Sequence, residues 1–194
     1  MFLILISIST NLAGFYSLVL PGLGDILLGN KDRGKSFMIA EGMIWTNYIV
    51  FNVLGNDVRN DYIKYAYIKA SSNPSRKDED YLEALEWFRS MDDYNDYIKE
   101  YARYLYGDSV EARKKYIEEH QFSDEDYWKW EEDKDFMKFI ELRKKSRSYF
   151  NTARNIASLA VVNRIVSFVL TSYFSDRFSI IIEKNGVRFV WKID

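Results

Sequence analysis

The segment PGLGDILLGNKDRGKS, residues 21–36, decides the fold of this chain. It lies between the two most apolar stretches of the N-terminal half. Pro21 blocks a helix interior and Gly22 permits a positive φ, so the chain is expected to turn here. Two incompatible structures have this pattern: the turn of a membrane helical hairpin, and a glycine-rich loop that binds phosphate. The choice between them decides the class of the protein.

The stretches on either side of this segment are long and apolar. Residues 1–24 carry no charge, and 24 residues are enough to cross a bilayer as a helix. Three interpretations of them stay open: a membrane helix or uncleaved anchor, a cleaved signal at residues 1–20, and a segment of a soluble core. The lack of Lys or Arg at the N-terminus argues against the signal. Residues 37–55 carry one charge, Glu41, and predict a second spanning helix.

A third apolar segment, residues 152–174, contains Arg164 near its centre. An arginine is costly inside a membrane, so it is expected to face protein or water and to have a partner. Glu41 is the acidic residue of the second apolar segment, and we predict an intramembrane ion pair between Glu41 and Arg164. The alternatives are that Arg164 extends to the membrane surface, or that it is an exposed residue of a soluble helix.

The middle of the chain, residues 56–150, is rich in charge and tyrosine and predicts a soluble helical module. Start and stop signals place helices near residues 81–88, 94–105, 108–120 and 123–149, with a break at 71–77. Asp108 and Ser123 are the expected caps of the last two. The tyrosine stripe on the second of these helices is expected to pack into a core. Residues 176–194 predict a β-hairpin, because Asn185-Gly186 is a strong two-residue turn signal between β-branched and aromatic residues.

Charge indicates an orientation for the membrane segments. Lys31, Arg33 and Lys35 oppose one Asp32 in the short loop of residues 30–36 between the first two apolar segments, which favours a cytoplasmic loop. Residues 57–147 hold 23 acidic and 18 basic side chains, which favours an extracytoplasmic module.

The phosphate-loop alternative rests on residues 29–36, which fit G-x-x-x-x-G-K-[ST]. In that case Gly34, Lys35 and Ser36 would bind a nucleotide. The surroundings argue against it, since a phosphate-loop domain needs further strand–helix units that the sequence lacks. The segment after the loop is also apolar on all faces, which suits lipid.

The helical-hairpin interpretation has a resemblance behind it. Residues 17–37 resemble the PGLGQ-x-x-x-G-x-x-x-x-G signature of a bacterial family of small membrane-associated proteins of unknown function. The likeness covers about residues 15–55 and 146–170, and Asp25 stands where the family usually has Gln. It implies that the signature joins two apolar helices, and it implies no known reaction. The signature positions are Pro21, Gly22, Gly24, Gly29 and Gly34.

Composition narrows the function classes. The chain has no Cys and one His, His120, so thiolate metal sites and disulfides are excluded and a histidine-based triad has little to draw on. The net charge of -2 gives no basic field for nucleic acid. No catalytic residue, metal site or cofactor is predicted.

Together these patterns predict a mainly α-helical membrane bundle of two or three apolar helices, with an inserted helical module and a C-terminal β-hairpin. The expected domains are 1–55, 56–150, 151–175 and 176–194. The predicted function is a non-enzymatic protein of the bacterial inner membrane, whose module binds a protein partner or a second copy. A nucleotide-binding protein is the alternative. A soluble all-α binding protein is a further one, favoured by the low mean hydropathy of -0.32.

Overall fold

The computed structural model describes residues 10–175, 178–183 and 186–191. The chain is mainly helical, and it divides into two compact units. Unit 1 comprises Met1–Asn52 and Phe150–Asp194, and unit 2 comprises Val53–Tyr149. Expectations for residues 1–9, including the first part of the signal or anchor, lie outside the described residues.

The helices and strands follow in chain order. The helices are α1 (Thr10–Val19), α2 (Leu23–Leu27), α3 (Lys31–Ala70), α4 (Glu79–Trp87), α5 (Met91–Tyr106), α6 (Val110–His120) and α7 (Asp133–Tyr173), with a 3-10 turn at Asp124–Asp126. The strands β1 (Phe178–Glu183) and β2 (Gly186–Trp191) pair antiparallel, with Phe178 opposite Trp191. The predicted turn residue Asn185 lies outside the described residues.

The two long helices carry the apolar segments. Within the described residues, α3 and α7 are long and apolar enough to cross a membrane. Only 11% and 17% of their most apolar 18-residue stretches are buried. The apolar side chains of these stretches therefore face outward, which is the reverse of a soluble core. Helix α7 also runs unbroken through residues 150–151, where the sequence suggested a domain boundary.

Unit 2 has a conventional aromatic core. The aromatic side chains at its centre are fully buried or nearly so, and several of their rings pack edge to face. Tyr81 meets Trp128 with ring centroids 5.6 Å apart, and Tyr62 meets Phe139 at the same distance. Such pairs stabilise a core beyond the burial of their area.

One predicted helix of unit 2 is wrong at its start. The sequence placed a helix over residues 123–149, but residues 127–132 lie outside any helix and α7 begins at Asp133. The backbone N–H of Trp130 donates to the Arg89 carbonyl at 2.8 Å, and the Trp128 carbonyl accepts from Met91 N–H at 3.0 Å. These bonds with another segment replace the bonds that a helix would make within itself.

Two smaller expectations also need correction. Ser109, rather than Asp108, occupies the N-cap position of α6. The stripe of α5 packs into the core only in part: Ile98 is buried and Tyr94 packs against the core, whereas Tyr97, Tyr101 and Leu105 are exposed. Tyr97 and Tyr101 instead stack on each other on the helix surface, with ring centroids 5.8 Å apart.

Candidate functional site

The turn of residues 21–36 is shaped by close backbone approach. Gly22 has a φ of 86°, in the left-handed region that favours glycine. A Cβ there would lie 2.1 Å from the Gly34 carbonyl oxygen, and a Cβ at Gly24 would lie 1.9 Å from the Ala13 carbonyl oxygen. Any side chain at these two positions would force α1, α2 and α3 apart.

The remaining signature positions have different roles. A Cβ at Gly34 would lie 2.5 Å from Ile26 Cγ1, so this glycine also permits close packing. Gly29 follows α2 with a φ of 90° and has open space around it, so its backbone conformation rather than packing favours glycine. Pro21 is fully buried just before the turn. All five residues expected to form the structural turn therefore lie in or around it.

A buried ion pair lies inside this turn. Arg33 Nη2 lies 2.5 Å from Asp25 Oδ1, and the two side chains are 1% and 0% exposed. Thr171 Oγ1 of α7 donates to the same carboxylate oxygen at 2.9 Å. Sequence reasoning missed this pair. The pair could have been suspected from the sequence, because a carboxylate and a guanidinium lie eight residues apart in a turn between apolar helices.

Hydroxyl groups connect the turn to α7. The backbone N–H of Gly22 donates to Ser167 Oγ at 2.8 Å, and the N–H of Gly24 donates to Ser17 Oγ at 3.1 Å. Ser17 Oγ also lies 3.1 Å from Thr171 Oγ1. These small polar residues bring the helices together through hydrogen bonds, as is common between helices in lipid.

The start of α3 also covers the C-terminal end of α7. Arg33 Nη1 donates to the Phe174 carbonyl at 3.0 Å, and Asn30 Nδ2 donates to the Ser175 carbonyl at 2.8 Å. A cationic donor at this position satisfies carbonyls that have no partner within the helix and favours the negative end of its dipole.

The charges expected in the turn are therefore not equivalent. Lys31 and Lys35 are exposed, whereas Arg33 is buried and paired with Asp25. Only the two lysines remain as exposed positive charges of the turn.

The predicted partners Glu41 and Arg164 are in contact. Arg164 Nη2 lies 2.9 Å from Glu41 Oε1, and Asn163 Nδ2 donates to Glu41 Oε2 at 2.9 Å. Trp45 Nε1 also donates to Glu41 Oε1 at 2.9 Å. Three donors on two helices thus surround one carboxylate. Sequence reasoning missed Asn163 and Trp45. The contact with Trp45 could have been found, because Glu41 and Trp45 are four residues apart and therefore lie on the same face of α3.

The residues of the nucleotide alternative lie in a different geometry from a phosphate loop. The short helix α2, and not a strand, precedes the segment. Lys31–Ser36 forms the start of α3, where Ser36 Oγ donates to the Asp32 carbonyl at 2.8 Å and Lys35 is exposed. Gly34 packs against Gly22 and Ile26. These three residues therefore act in the helix and its packing, and form no cradle for a phosphate.

The polar side chains around the turn are shielded from solvent, since Ser17, Asp25, Ser167 and Thr171 are all 0% exposed. Among residues 10–175, 178–183 and 186–191, no group of three or more His, Asp or Glu side chains could hold a metal ion. His120 ends α6, with its ring stacked on Tyr116 at 3.9 Å. Comparison of the chain with protein-family models, with curated proteins and with solved structures gave no match.

Proposed function

We propose that this chain is a non-enzymatic integral membrane protein. Unit 1 anchors it in the bilayer, and the helical module of unit 2 binds a partner. The observation that carries the proposal is the distribution of polarity in unit 1. Many of its polar side chains are buried, namely Ser17, Asp25, Arg33, Glu41, Ser167 and Thr171. Large apolar side chains are exposed on its outside; examples are Phe15, Ile39, Met43, Ile49, Val162 and Ile165.

This distribution suits lipid and is costly in water. Large contiguous apolar surface is rare on soluble proteins, whereas a bilayer accepts it and penalises polar groups instead. Unit 2 has the opposite pattern, with a buried aromatic core and many exposed charges. The contrast supports a membrane anchor over the soluble all-α alternative, which would bury the apolar segments against one another.

The Glu41 cluster fits the same proposal. A charge in a membrane segment is tolerated when it is paired and directed toward protein. Glu41 has three donors, and its side chain is 8% exposed. The resemblance of residues 17–37 to a membrane-associated family is a separate support for a hairpin anchor. We further propose that the protein lies in the inner membrane, that the turn with Lys31 and Lys35 is cytoplasmic, and that residues 56–150 are extracytoplasmic.

Single cysteines can test the anchor directly, because the chain contains no Cys of its own. Val162 is 55% exposed on α7 and Tyr104 is 82% exposed on α5. We expect a membrane-impermeant maleimide to label Tyr104→Cys in intact vesicles of the correct orientation. Val162→Cys is expected to resist the reagent in every vesicle, because lipid covers it, and to react after detergent dissolves the vesicles and urea unfolds the chain.

The matched position Lys31→Cys reports on orientation, since it is expected to react only from the side opposite to Tyr104→Cys. The parent protein should also stay in the membrane pellet after carbonate extraction. Rapid labelling of Val162→Cys in intact vesicles, together with release by carbonate, would show that the apolar surface of unit 1 faces water and that the anchor does not exist.

A further inference from the structure

Unit 2 contains an open groove of about 900 Å³ that its aromatic core does not use. It is formed by α4 with the residues just before it, the first half of α5, the end of α6 and the segment that follows α6. The residues that matter for its chemistry are two acidic side chains of α4, Asp80 and Glu83, and four aromatic ones, Trp87, Phe88, Tyr94 and Tyr97. A volume of this size accommodates several side chains of a ligand rather than one small group.

The groove is acidic. Five carboxylates line it against one guanidinium, that of Arg76. Arg76 is already occupied, because its Nε lies 2.7 Å from Asp78 Oδ2 and its Nη1 lies 2.9 Å from Asp126 Oδ1. Asp80 and Glu83 form no salt bridge within the described residues, and both are exposed. The field at the groove is therefore negative and attracts cations.

Aromatic rings form the wall beside these carboxylates. The Phe88 ring lies 5.2 Å from the Tyr94 ring and 5.2 Å from the Tyr97 ring, measured between centroids. Trp87 is 71% exposed and makes no hydrogen bond or ring contact with the other described residues. A cation near the face of such rings is attracted by their quadrupoles, and tryptophan gives the strongest attraction.

The groove wall on α4 is a helix face that the fold leaves without a partner. Asp80, Glu83 and Trp87 follow at i, i+3 and i+7, so they share one face of the helix. The opposite face carries Tyr81 and Leu85, which are buried in the core. Trp87 is mostly exposed and lies beside two carboxylates that form no salt bridge within the described residues, so it contributes little to the packing of unit 2. Such a tryptophan is typical of a binding surface.

We propose that this groove binds an extended lysine- or arginine-bearing segment of a partner protein. The carboxylates attract the charges of the segment, and the aromatic wall packs against its side-chain stems and cationic groups. Charge complementarity selects this occupant, and the size of the groove favours a segment over a single ammonium group. This inference gives the chemistry of the partner and so rests on the proposed interaction role of unit 2.

The full-length protein in a neutral maltoside detergent provides the test. Fluorescence anisotropy measures the binding of a fluorescein-labelled (Lys-Gly)4 peptide, with (Glu-Gly)4 as the acidic comparison. We expect the lysine peptide to bind and the acidic peptide to show no binding. The double variant Asp80→Asn/Glu83→Gln is expected to weaken lysine-peptide binding about tenfold or more, since opposite charges at a groove typically give 1.4 kcal/mol or more of differential affinity.

Trp87→Ala is expected to weaken the same binding about fivefold without changing the net charge, an effect within the range of a partly desolvated cation–aromatic contact. The matched control is Glu100→Gln/Asp108→Asn, which removes two exposed carboxylates outside the groove. It should change the affinity by less than about twofold. Circular dichroism spectra and melting temperatures equal to those of the parent show that each variant is folded.

Three results would overturn the inference. One is the absence of lysine-peptide binding up to about 1 mM. Another is an equal loss in the control variant, which would indicate nonspecific attraction. The third is displacement of the peptide by choline chloride at the same molar concentration as unlabelled peptide, which would indicate a site for a small quaternary ammonium group. The Val162→Cys labelling reports on the anchor alone, so failure of the groove and failure of the membrane proposal are told apart.

Discussion

The buried pair of Asp25 and Arg33 gives the sharpest prediction about what holds unit 1 together. The two side chains are essentially inaccessible, and their charged atoms are 2.5 Å apart. Removing one partner of such a pair leaves an uncompensated buried charge and costs about 3–5 kcal/mol. We therefore expect Asp25→Asn and Arg33→Met each to lower the free energy of unfolding by about that amount.

The double variant Asp25→Asn/Arg33→Met is expected to be much less damaged than the sum of the two changes. No charge is left buried in it, and the remaining loss is that of hydrogen bonds to Thr171 and the Phe174 carbonyl, about 1–3 kcal/mol in total. The predicted coupling energy is therefore at least about 3 kcal/mol. Its sign is the informative quantity, because a double-mutant cycle isolates the contribution of the pair.

The measurement is reversible unfolding in maltoside micelles by increasing mole fraction of dodecyl sulfate, followed by circular dichroism. Asp32→Asn is the matched control, because it removes an exposed carboxylate from the same turn. It should change stability by less than about 0.5 kcal/mol. Additivity of the two single changes within about 0.5 kcal/mol would refute the reasoning, since it would mean that the two charges do not interact in the folded protein.

Three further predictions follow from the structure. Gly24→Ala should destabilise unit 1 by about 1–3 kcal/mol, because its Cβ would collide with a backbone carbonyl; Gly42→Ala, which has open space, should be neutral or stabilising in the same micelle unfolding assay. The hydrogen bond from Arg76 lowers the pKa of Asp78 from 3.8 to about 2. Because the folded pKa is the lower one, the stability from this group is present above pH 4 and is lost as the pH falls toward 2; Asp78→Asn should remove that part of the pH dependence of the melting temperature. Mg²⁺-ATP should leave the melting temperatures of the parent and of Lys35→Ala unchanged, and a shift in the parent that the variant lacks would restore the nucleotide-binding alternative.

Residues that differ strongly from their neighbours could be assigned from sequence. Glu41 is the only charge in residues 37–55, and Arg164 lies within the third apolar segment, so each identifies the other as a partner. Asp25 and Arg33 did not differ in this way, because they lie in a turn where charges are ordinary. Their burial depends on α7, whose hydroxyl groups reach the turn from about 145 residues away. The residues near the turn in sequence therefore do not reveal this contact.

The start of α7 in unit 2 could not be predicted from sequence for the same reason, since it depends on contacts with distant residues. Residues 127–132 follow a strong helix start signal at Ser123, and the helix prediction continued through them. Trp128 and Trp130 are buried on either side of the exposed Lys129, which is the alternation of an extended segment. This alternation indicates an extended segment, but it covers only three residues of the sequence. The extended conformation is held by backbone hydrogen bonds to Arg89 and Met91, which the sequence does not reveal. Likewise, the stripe of α5 has core-like spacing, but α6 buries none of its own residues, and the rings of Tyr97 and Tyr101 stay exposed.

The hydrogen bonds between the turn and α7 also set an order of events during synthesis. Gly22 and Asp25 are made 145 and 146 residues before Ser167 and Thr171. At about 5–20 residues per second, the ribosome needs on the order of ten seconds to add the missing helix. During that interval the hydroxyl groups of α7 that bond to the turn between α1 and α3 have not yet been made. Asp25 and Arg33 are only eight residues apart, so they can form their ion pair before α7 has been synthesised. When α7 packs against the turn, the two charged groups that are most expensive to bury are already paired.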